Sequence, residues 1–137
     1  MYTVEFYKLC KEKYLQPNGV LVTQSTACDP AAPGNPELDD PFPMLHKTLT
    51  QAFGNCNAYH SQIPSFYYPW GFNMASENAS ILLNMDADIA KVDALIAERL
   101  GKASNLRHYD GVTHRHMFSL PKGTRGRLAA EKRVFTE

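Results

Sequence analysis

Aromatic side chains are concentrated in the segment 66–72, which carries the strongest chemical signal in the sequence. Its aromatic residues are Phe66, Tyr67, Tyr68, Trp70 and Phe72. A segment that connects two strands is normally polar, so the cluster needs another explanation. It could form an aromatic wall that binds a flat or cationic ligand, since a cation over a ring gains about 0.5–2 kcal/mol. It could also be a hydrophobic plug that packs under a sheet.

Gln24 is the second candidate because it ends a short apolar run, 20–24, that is typical of a strand. In open α/β sheets, ligands gather beyond the carboxyl ends of the strands. A glutamine at that place could orient a polar ligand with both a donor and an acceptor. It could also bond only to the backbone of its own loop.

The histidines give a weaker signal. His114 and His116 are two positions apart, so a predicted strand over 114–120 would place them on one face with His108 nearby. Zinc needs three or four converging ligands, no cysteine completes the set, and Arg115 adds positive charge. We therefore expect no metal site.

Other arrangements with known chemistry are not visible in the sequence. Asp39 and Asp40 are expected to cap a helix rather than to form a catalytic pair. No Gly-rich phosphate loop, G-x-S-x-G or C-x-x-C motif occurs, so nucleotide phosphate binding and common nucleophiles are unsupported.

Length and composition describe one ordinary domain. The chain has 137 residues, of which 44% are hydrophobic, and its 14 basic residues balance 14 acidic ones. A neutral balance argues against nucleic acid or an anionic membrane as the main partner. Three widely spaced cysteines and a first segment without a basic leader favour a reducing, cytoplasmic location.

Apolar spacing and capping residues predict the elements that would position these groups. The predicted helices are one capped by Thr3 that ends before Pro17, one that starts near Pro43 with Asp40 as cap and Gly54 at its end, one over 88–100 closed by Gly101, and one over 125–131 capped by Thr124. In the third helix, Ile89, Val92, Ile96 and Leu100 are expected to face inward. The predicted strands are 20–24, 58–63, 70–76 and 114–120, and the proline-rich segment 27–41 is expected to be a loop.

The run 20–24 shows no alternation of apolar and polar residues, which predicts a strand covered on both faces with parallel neighbours. The chain supplies too few such neighbours. It therefore resembles half of an open α/β sheet whose other strands lie upstream or in another chain.

Several segments resemble, in this order, the C-terminal half of the polyamine aminopropyltransferases, the spermidine synthase family. They are Tyr2-Thr3-x-x-Phe6-Tyr7, Pro17-x-Gly19-Val20-x-Val22-Thr23-Gln24, Ile63-Pro64-Ser65-Phe66, Trp70-Gly71-Phe72 with Met74-Ala75-Ser76, and His114-x-x-x-Phe118-x-Leu120-Pro121. The turn Tyr109-Asp110-Gly111 and the ending Glu131-x-x-Val134-Phe135-Thr136-Glu137 are most similar to thermospermine synthases.

The resemblance implies an α/β fold: the C-terminal half of a Rossmann-like, class I methyltransferase-type sheet with flanking helices and a terminal antiparallel strand pair. Residues 1–137 would be the C-terminal portion of one catalytic domain, without the N-terminal β-domain and the nucleotide-binding half. The family moves an aminopropyl group from decarboxylated S-adenosylmethionine to putrescine or spermidine.

The resemblance also implies which residues bind the polyamine: Gln24, Phe66, Tyr68 and Trp70. Phe66 stands where many members carry a tyrosine, so a hydroxyl is missing there. The family's nucleotide loop, ribose-binding acid and Asp-rich catalytic loop precede the motif that begins at Tyr2. We therefore expect no catalytic residue, no bound cofactor and no activity from this segment alone.

Two partners are expected besides the polyamine: a second copy of the chain, or a complementing N-terminal half. Two other functions stay open. One is a putrescine N-methyltransferase, which shares the scaffold. The other is a non-catalytic paralogue that stabilises a full-length synthase.

Overall fold

The computed structural model describes residues 1–28, 40–84, 86–101 and 106–137. Asp39 and most of the predicted proline-rich loop lie outside the described residues. In chain order the elements are helix α1 (Val4–Tyr14), strand β1 (Leu21–Ala27), helix α2 (Pro41–Phe53), strands β2 (Asn55–Ser61) and β3 (Trp70–Ser76), a short 3-10 helix (Ala79–Ile81), and helices α3 (Ile89–Leu100), α4 (Gly111–Phe118) and α5 (Lys122–Ala130).

These elements form two compact units. One comprises Met1–Leu82 together with Leu120–Glu137, and the other comprises Leu83–Ser119. The larger unit contains the sheet, with α1, α2 and α5. That residues 1–137 are one portion of a single catalytic domain stays a prediction.

The described strands form one sheet in the order β1-β3-β2, with both pairings antiparallel. The predicted strand pair is confirmed. β3 has the predicted bounds, whereas β2 begins at Asn55 rather than Ala58 and ends at Ser61 rather than Ile63. The prediction that 20–24 is covered on both faces is wrong, because the Val22 side chain is 51% exposed and the neighbour of β1 is antiparallel. Val20 and Val22 are apolar yet face outward, and they conceal the alternation that a half-covered strand normally shows.

One face of β3 is buried, as its alternation predicts. Gly71, Asn73 and Ala75 are buried, whereas the residues between them are half-buried. A Cβ atom at Gly71 would lie 2.6 Å from the Phe42 ring, so this glycine lets α2 pack closely on the sheet. Farther along β3, Ala75 belongs to a buried core that also contains Leu49 of α2 and other residues of α1 and α2.

Side-chain caps fix the helix starts in this unit. The Thr3 hydroxyl accepts a 3.3 Å hydrogen bond from the Phe6 N–H, and the Asp40 carboxylate accepts one from Phe42 N–H at the start of α2. Gly54 closes α2 at a φ of 89°, a conformation that favours glycine. These three predictions are confirmed.

The last helix of the larger unit differs from the prediction. It begins at Lys122 rather than at Arg125, and Thr124 is a buried residue of its first turn instead of its cap. Pro121 occupies the cap position without a side-chain hydrogen bond. The Pro121 carbonyl accepts the first backbone hydrogen bond of this helix, from Arg125 N–H at 3.0 Å.

In the smaller unit, α3 is closed by Gly101, as predicted, and Asp88, the predicted first residue, is its side-chain cap. Val92 and Ile96 are buried, but Leu100 is 60% exposed, so its predicted inward position is wrong. The spacing of apolar residues indicates which of them lie on the same side of a helix. It does not indicate how much of that side is covered by neighbouring residues.

The prediction of a strand at 114–120 is wrong, because residues 114–118 belong to helix α4. The Asp110 carboxylate accepts a 2.7 Å hydrogen bond from Thr113 N–H and starts the helix. A Cβ atom at Gly111 would lie 2.3 Å from the Ile89 carbonyl oxygen, so only glycine allows this approach. In the helix, the His114 and Phe118 rings stack with their centroids 4.5 Å apart, a contact between residues four positions apart.

Candidate functional site

Gln24 and Trp70 meet at one end of the sheet, where β1 ends and β3 begins. The indole Nε1–H of Trp70 donates a 3.2 Å hydrogen bond to Oε1 of Gln24. Because an indole N–H can only donate, the Gln24 atom that faces it must be the carbonyl oxygen. Gln24 is thus oriented by a neighbouring strand and not by its own loop.

A bulge in β1 brings these side chains together. Gln24 pairs with Phe72 and Ala27 with Trp70, so β1 has one residue more than β3 between the two pairings. Thr26, within the bulge, has a φ of 71°, which is rare for a β-branched residue. Strained backbone of this kind is often found at functional sites.

The aromatic segment divides at this site. The Phe66 and Trp70 rings lie 4.2 Å apart between centroids, with their planes tilted by 30°. Tyr67 is 99% exposed and Tyr68 is half exposed, so the cluster is not a buried plug. The Phe66–Trp70 pair is thus an accessible aromatic surface, and ligand binding by it stays a prediction.

Next to this pair lies a cavity of about 460 Å³. The described residues that line it are Met1, Tyr2, Thr3, Gln24, Thr26, Pro41, Leu45, Trp70, Phe135 and Thr136. Of the four predicted site residues, Gln24 and Trp70 line it directly. Phe66 packs against Trp70 but, like Tyr68, is not among the described lining residues.

The segment 131–137, here called the tail segment, supplies cavity residues that sequence reasoning missed. Its backbone carbonyl at Phe135 accepts a 2.9 Å hydrogen bond from the Val4 N–H at the start of α1. The Phe135 N–H donates a 3.0 Å hydrogen bond to the Thr48 hydroxyl of α2. The sequence of the tail segment resembles that of thermospermine synthases, but no local pattern in it indicates that the segment returns to the sheet.

An ion pair orders the start of the tail segment. The Arg133 guanidinium donates hydrogen bonds to both carboxylate oxygens of Glu131, at 2.8–3.0 Å. These bonds lower the pKa of Glu131 to about 2. Neither residue of this ion pair is among the described lining residues. The pair therefore orders the part of the tail segment that precedes the cavity.

The cavity is largely apolar, and none of its described lining residues has a charged side chain. Aromatic and aliphatic walls with a few oriented polar groups suit a flexible aliphatic molecule that carries a polar or cationic end. Within the described residues, no group of three or more potential metal ligands converges. None of the described helices is long and apolar enough to cross a membrane.

His114, one of the histidines considered for a metal, has both ring nitrogens in hydrogen bonds within the smaller unit. Nδ1 lies 2.7 Å from the Tyr109 hydroxyl and Nε2 lies 3.1 Å from the Asn84 carbonyl oxygen. The ring is 2% exposed. These contacts describe a histidine that holds the unit together.

The chain is similar in sequence to several curated proteins, each of which is much longer than the chain. The chain is 37% identical over 138 residues to a polyamine aminopropyltransferase of Sulfolobus acidocaldarius, covering 99% of the chain and 41% of the relative. It is 33% identical to polyamine aminopropyltransferase 2 of Hyperthermus butylicus, covering 41% of that protein. A thermospermine synthase of Arabidopsis thaliana is 33% identical over 100 residues, or 73% of the chain and 26% of the relative. The chain thus spans about two fifths of the length of the first curated relatives that it matches.

Solved structures agree in fold. Spermidine synthase from Thermotoga maritima superposes with a TM-score of 0.64 at 22% identity, over 94% of this chain and 40% of that one. A spermidine synthase in complex with the transition-state analogue AdoDATO gives a TM-score of 0.66 over 95% of this chain. No family model matches the sequence. The resemblance to polyamine aminopropyltransferases is confirmed, and so is the α/β fold of the C-terminal part of spermidine synthase structures.

Proposed function

We propose that this chain is the acceptor-binding part of a polyamine aminopropyltransferase. The complete enzyme would move an aminopropyl group from decarboxylated S-adenosylmethionine to putrescine or spermidine. The observation that carries the proposal is the Trp70–Gln24 hydrogen bond at a largely apolar cavity, on a chain that resembles such enzymes throughout.

Gln24 would bind an ammonium group of the polyamine. Its carbonyl oxygen uses one lone pair for Trp70 Nε1–H, and the second can accept a hydrogen bond from the ligand. A hydrogen bond that involves a charged group contributes about 1.5–3 kcal/mol.

The cavity walls would bind the rest of the ligand. The Trp70 ring adds about 0.5–2 kcal/mol for a cation near its face. Apolar walls such as Leu45 would cover the methylenes between the amines. Part of this favourable free energy is offset by the translational and rotational freedom lost on association, so we expect binding by the chain alone to be millimolar or weaker.

Donor binding and catalysis are assigned to the part of the enzyme that the chain does not span. The attacking amine must lose its proton before transfer, which needs a general base. None of the described residues that line the cavity has a carboxylate for that step. We therefore expect the chain alone to bind polyamine without transferring an aminopropyl group.

Trp70 provides a direct test because it is the only tryptophan in the sequence. Putrescine and spermidine are titrated into the chain while Trp70 fluorescence is followed. We expect a saturable change with a millimolar midpoint. 1,4-Butanediol, which has the length of putrescine without its charges, is the control and should give little response. The same lack of response with both amines would contradict the proposal.

A hybrid enzyme tests the transfer reaction. The chain replaces the 138 matched residues of the Sulfolobus acidocaldarius relative, and release of methylthioadenosine is measured. We expect turnover by the hybrid and none by the chain alone. A folded hybrid that binds polyamine but shows no turnover would instead favour the non-catalytic paralogue.

A further inference from the structure

We infer that the tail segment is a selective wall of the polyamine cavity and that Thr48 of α2 is the positioning residue that holds it there. Phe135 and Thr136 would then limit which polyamines fit. This inference rests on the proposed function, because it assigns selectivity to the same cavity.

Hydrogen bonds attach the tail segment on both sides of Thr136. Before it, Phe135 uses its carbonyl oxygen for Val4 N–H and its own N–H for the Thr48 hydroxyl, at 2.9 and 3.0 Å. After it, the Glu137 N–H donates a 3.3 Å hydrogen bond to the Glu5 carboxylate. Thr136 lines the cavity between these attachments.

The bond from Val4 also serves helix α1. The first N–H groups of a helix have no carbonyl partner within the helix. The Phe135 carbonyl supplies one for Val4, whose side chain is 2% exposed. Displacing the segment would leave a buried backbone donor unpaired, which is unfavourable.

Thr48 acts at a distance from the ligand. Its side chain is fully buried, and it is not among the described lining residues. Its hydroxyl donates to the Met44 carbonyl at 2.7 Å and accepts from Phe135 N–H, so both of its hydrogen-bonding functions are used. Removing this hydroxyl would loosen the segment without changing the identity of any lining residue.

The tail segment can limit the length of the ligand because Phe135, which is half-buried, is one of the lining residues. Removing the ring enlarges the cavity, which favours a longer amine over a shorter one. A mismatch of one methylene in a fitted pocket changes selectivity by about tenfold or more. A loosened wall should lose part of that discrimination.

The test compares the affinities of putrescine and spermidine, read from Trp70 fluorescence in the full chain. Phe135→Ala and Thr48→Val should each shift the affinity ratio toward spermidine by about 3–10-fold. Thr48→Ser keeps the hydroxyl and should restore the ratio. Lys132→Ala, an exposed change in the same segment, is the control and should leave it unchanged.

The outcomes separate the two proposals. If the unmodified chain binds neither amine, the proposed function fails and this inference fails with it. If the chain binds both amines but the ratio stays the same in folded Phe135→Ala and Thr48→Val variants, only this inference is overturned. A shift that Thr48→Ser does not restore would also overturn the role given to the Thr48 hydroxyl.

Discussion

The side-chain amide of Asn73 on β3 donates a 2.8 Å hydrogen bond to the Ser25 hydroxyl on β1, and both side chains are fully buried. Ser25 lies in the bulge directly after Gln24. Its hydroxyl donates in turn to the Thr23 carbonyl oxygen at 3.3 Å. A buried polar pair beneath the sheet therefore fixes the strand segment that presents Gln24 to Trp70.

Ser25→Ala should destabilise the protein by about 1–3 kcal/mol, because it leaves a buried donor of Asn73 without this partner. Urea denaturation would measure the loss in the free energy of unfolding. Ser65→Ala makes the same change at an exposed position and should have an effect below about 0.5 kcal/mol. Equal effects of the two substitutions would contradict the importance of the buried pair.

Gly71→Ala should lower the free energy of unfolding by about 1–3 kcal/mol, since the new Cβ would lie 2.6 Å from the buried Phe42 ring. Gly126 in α5 is the matched control, because a Cβ there meets no atom within 4 Å. Gly126→Ala should be neutral or stabilising by up to about 1 kcal/mol, as expected for a helix interior. Thermal unfolding of both variants would check the contrast.

Gln24→Glu should strengthen polyamine binding about 3–10-fold at low salt, because a carboxylate forms a charge-assisted hydrogen bond with an ammonium group. The gain should shrink as ionic strength rises, since salt screens the new charge. Trp70 fluorescence titrations at two salt concentrations would measure both effects. Gln51→Glu on the exposed side of α2 adds the same charge away from the cavity. If Gln51→Glu strengthens polyamine binding as much as Gln24→Glu does, the role proposed for Gln24 is contradicted.

His46 makes stability depend on pH. Burial lowers the pKa of its ring below the ordinary value of 6.5, while Nε2 donates a 3.1 Å hydrogen bond to the Cys56 carbonyl. Below pH 6.5 the unfolded chain gains a proton that the folded ring resists, so this part of the stability is lost as pH falls from about 7 through the folded-state pKa.

Denaturation between about pH 5 and pH 8, a range centred on the ordinary pKa of the imidazole, tests this dependence. His46→Gln should flatten the curve relative to the unmodified chain. His108→Gln removes an exposed imidazole and shows the effect of losing any histidine. An unchanged slope in His46→Gln would contradict the assignment.

Self-association is expected through β1, which is an edge strand of the described sheet. Val20 is 39% exposed and Val22 is 51% exposed, so the edge is also apolar. Such an edge invites pairing with another chain. Light scattering at micromolar concentration should show a species larger than the monomer, and Val22→Lys should reduce it. A monomer in the unmodified chain would contradict this expectation.

Local chemistry made the helix starts predictable. The side chains of Thr3, Asp40 and Asp88 accept hydrogen bonds from N–H groups two or three positions along the chain, so the sequence contains all partners of each cap. The predicted strand at 114–120 overlooked a cap of the same kind. Asp110 accepts a hydrogen bond from Thr113 N–H, and the close contact of Gly111 with Ile89 also favours a helix there.

The candidate site was predictable only in part. Strand ends and aromatic density indicated Gln24 and Trp70, and the structure joins them by a hydrogen bond. The bulge at Thr26 and the return of Phe135 depend on partners far away in the sequence. No window of neighbouring residues contains that information, which is why the second half of the cavity was missed.

The tail segment also has a consequence for biosynthesis. Glu137 and Glu5, which it joins, are 132 positions apart. During translation the early residues leave the ribosome long before their late partners are made, and closing so large a loop has to wait for them. A nascent chain should therefore be unable to discriminate between short and long amines until its synthesis has passed Phe135, so that selectivity is acquired only after translation of this region.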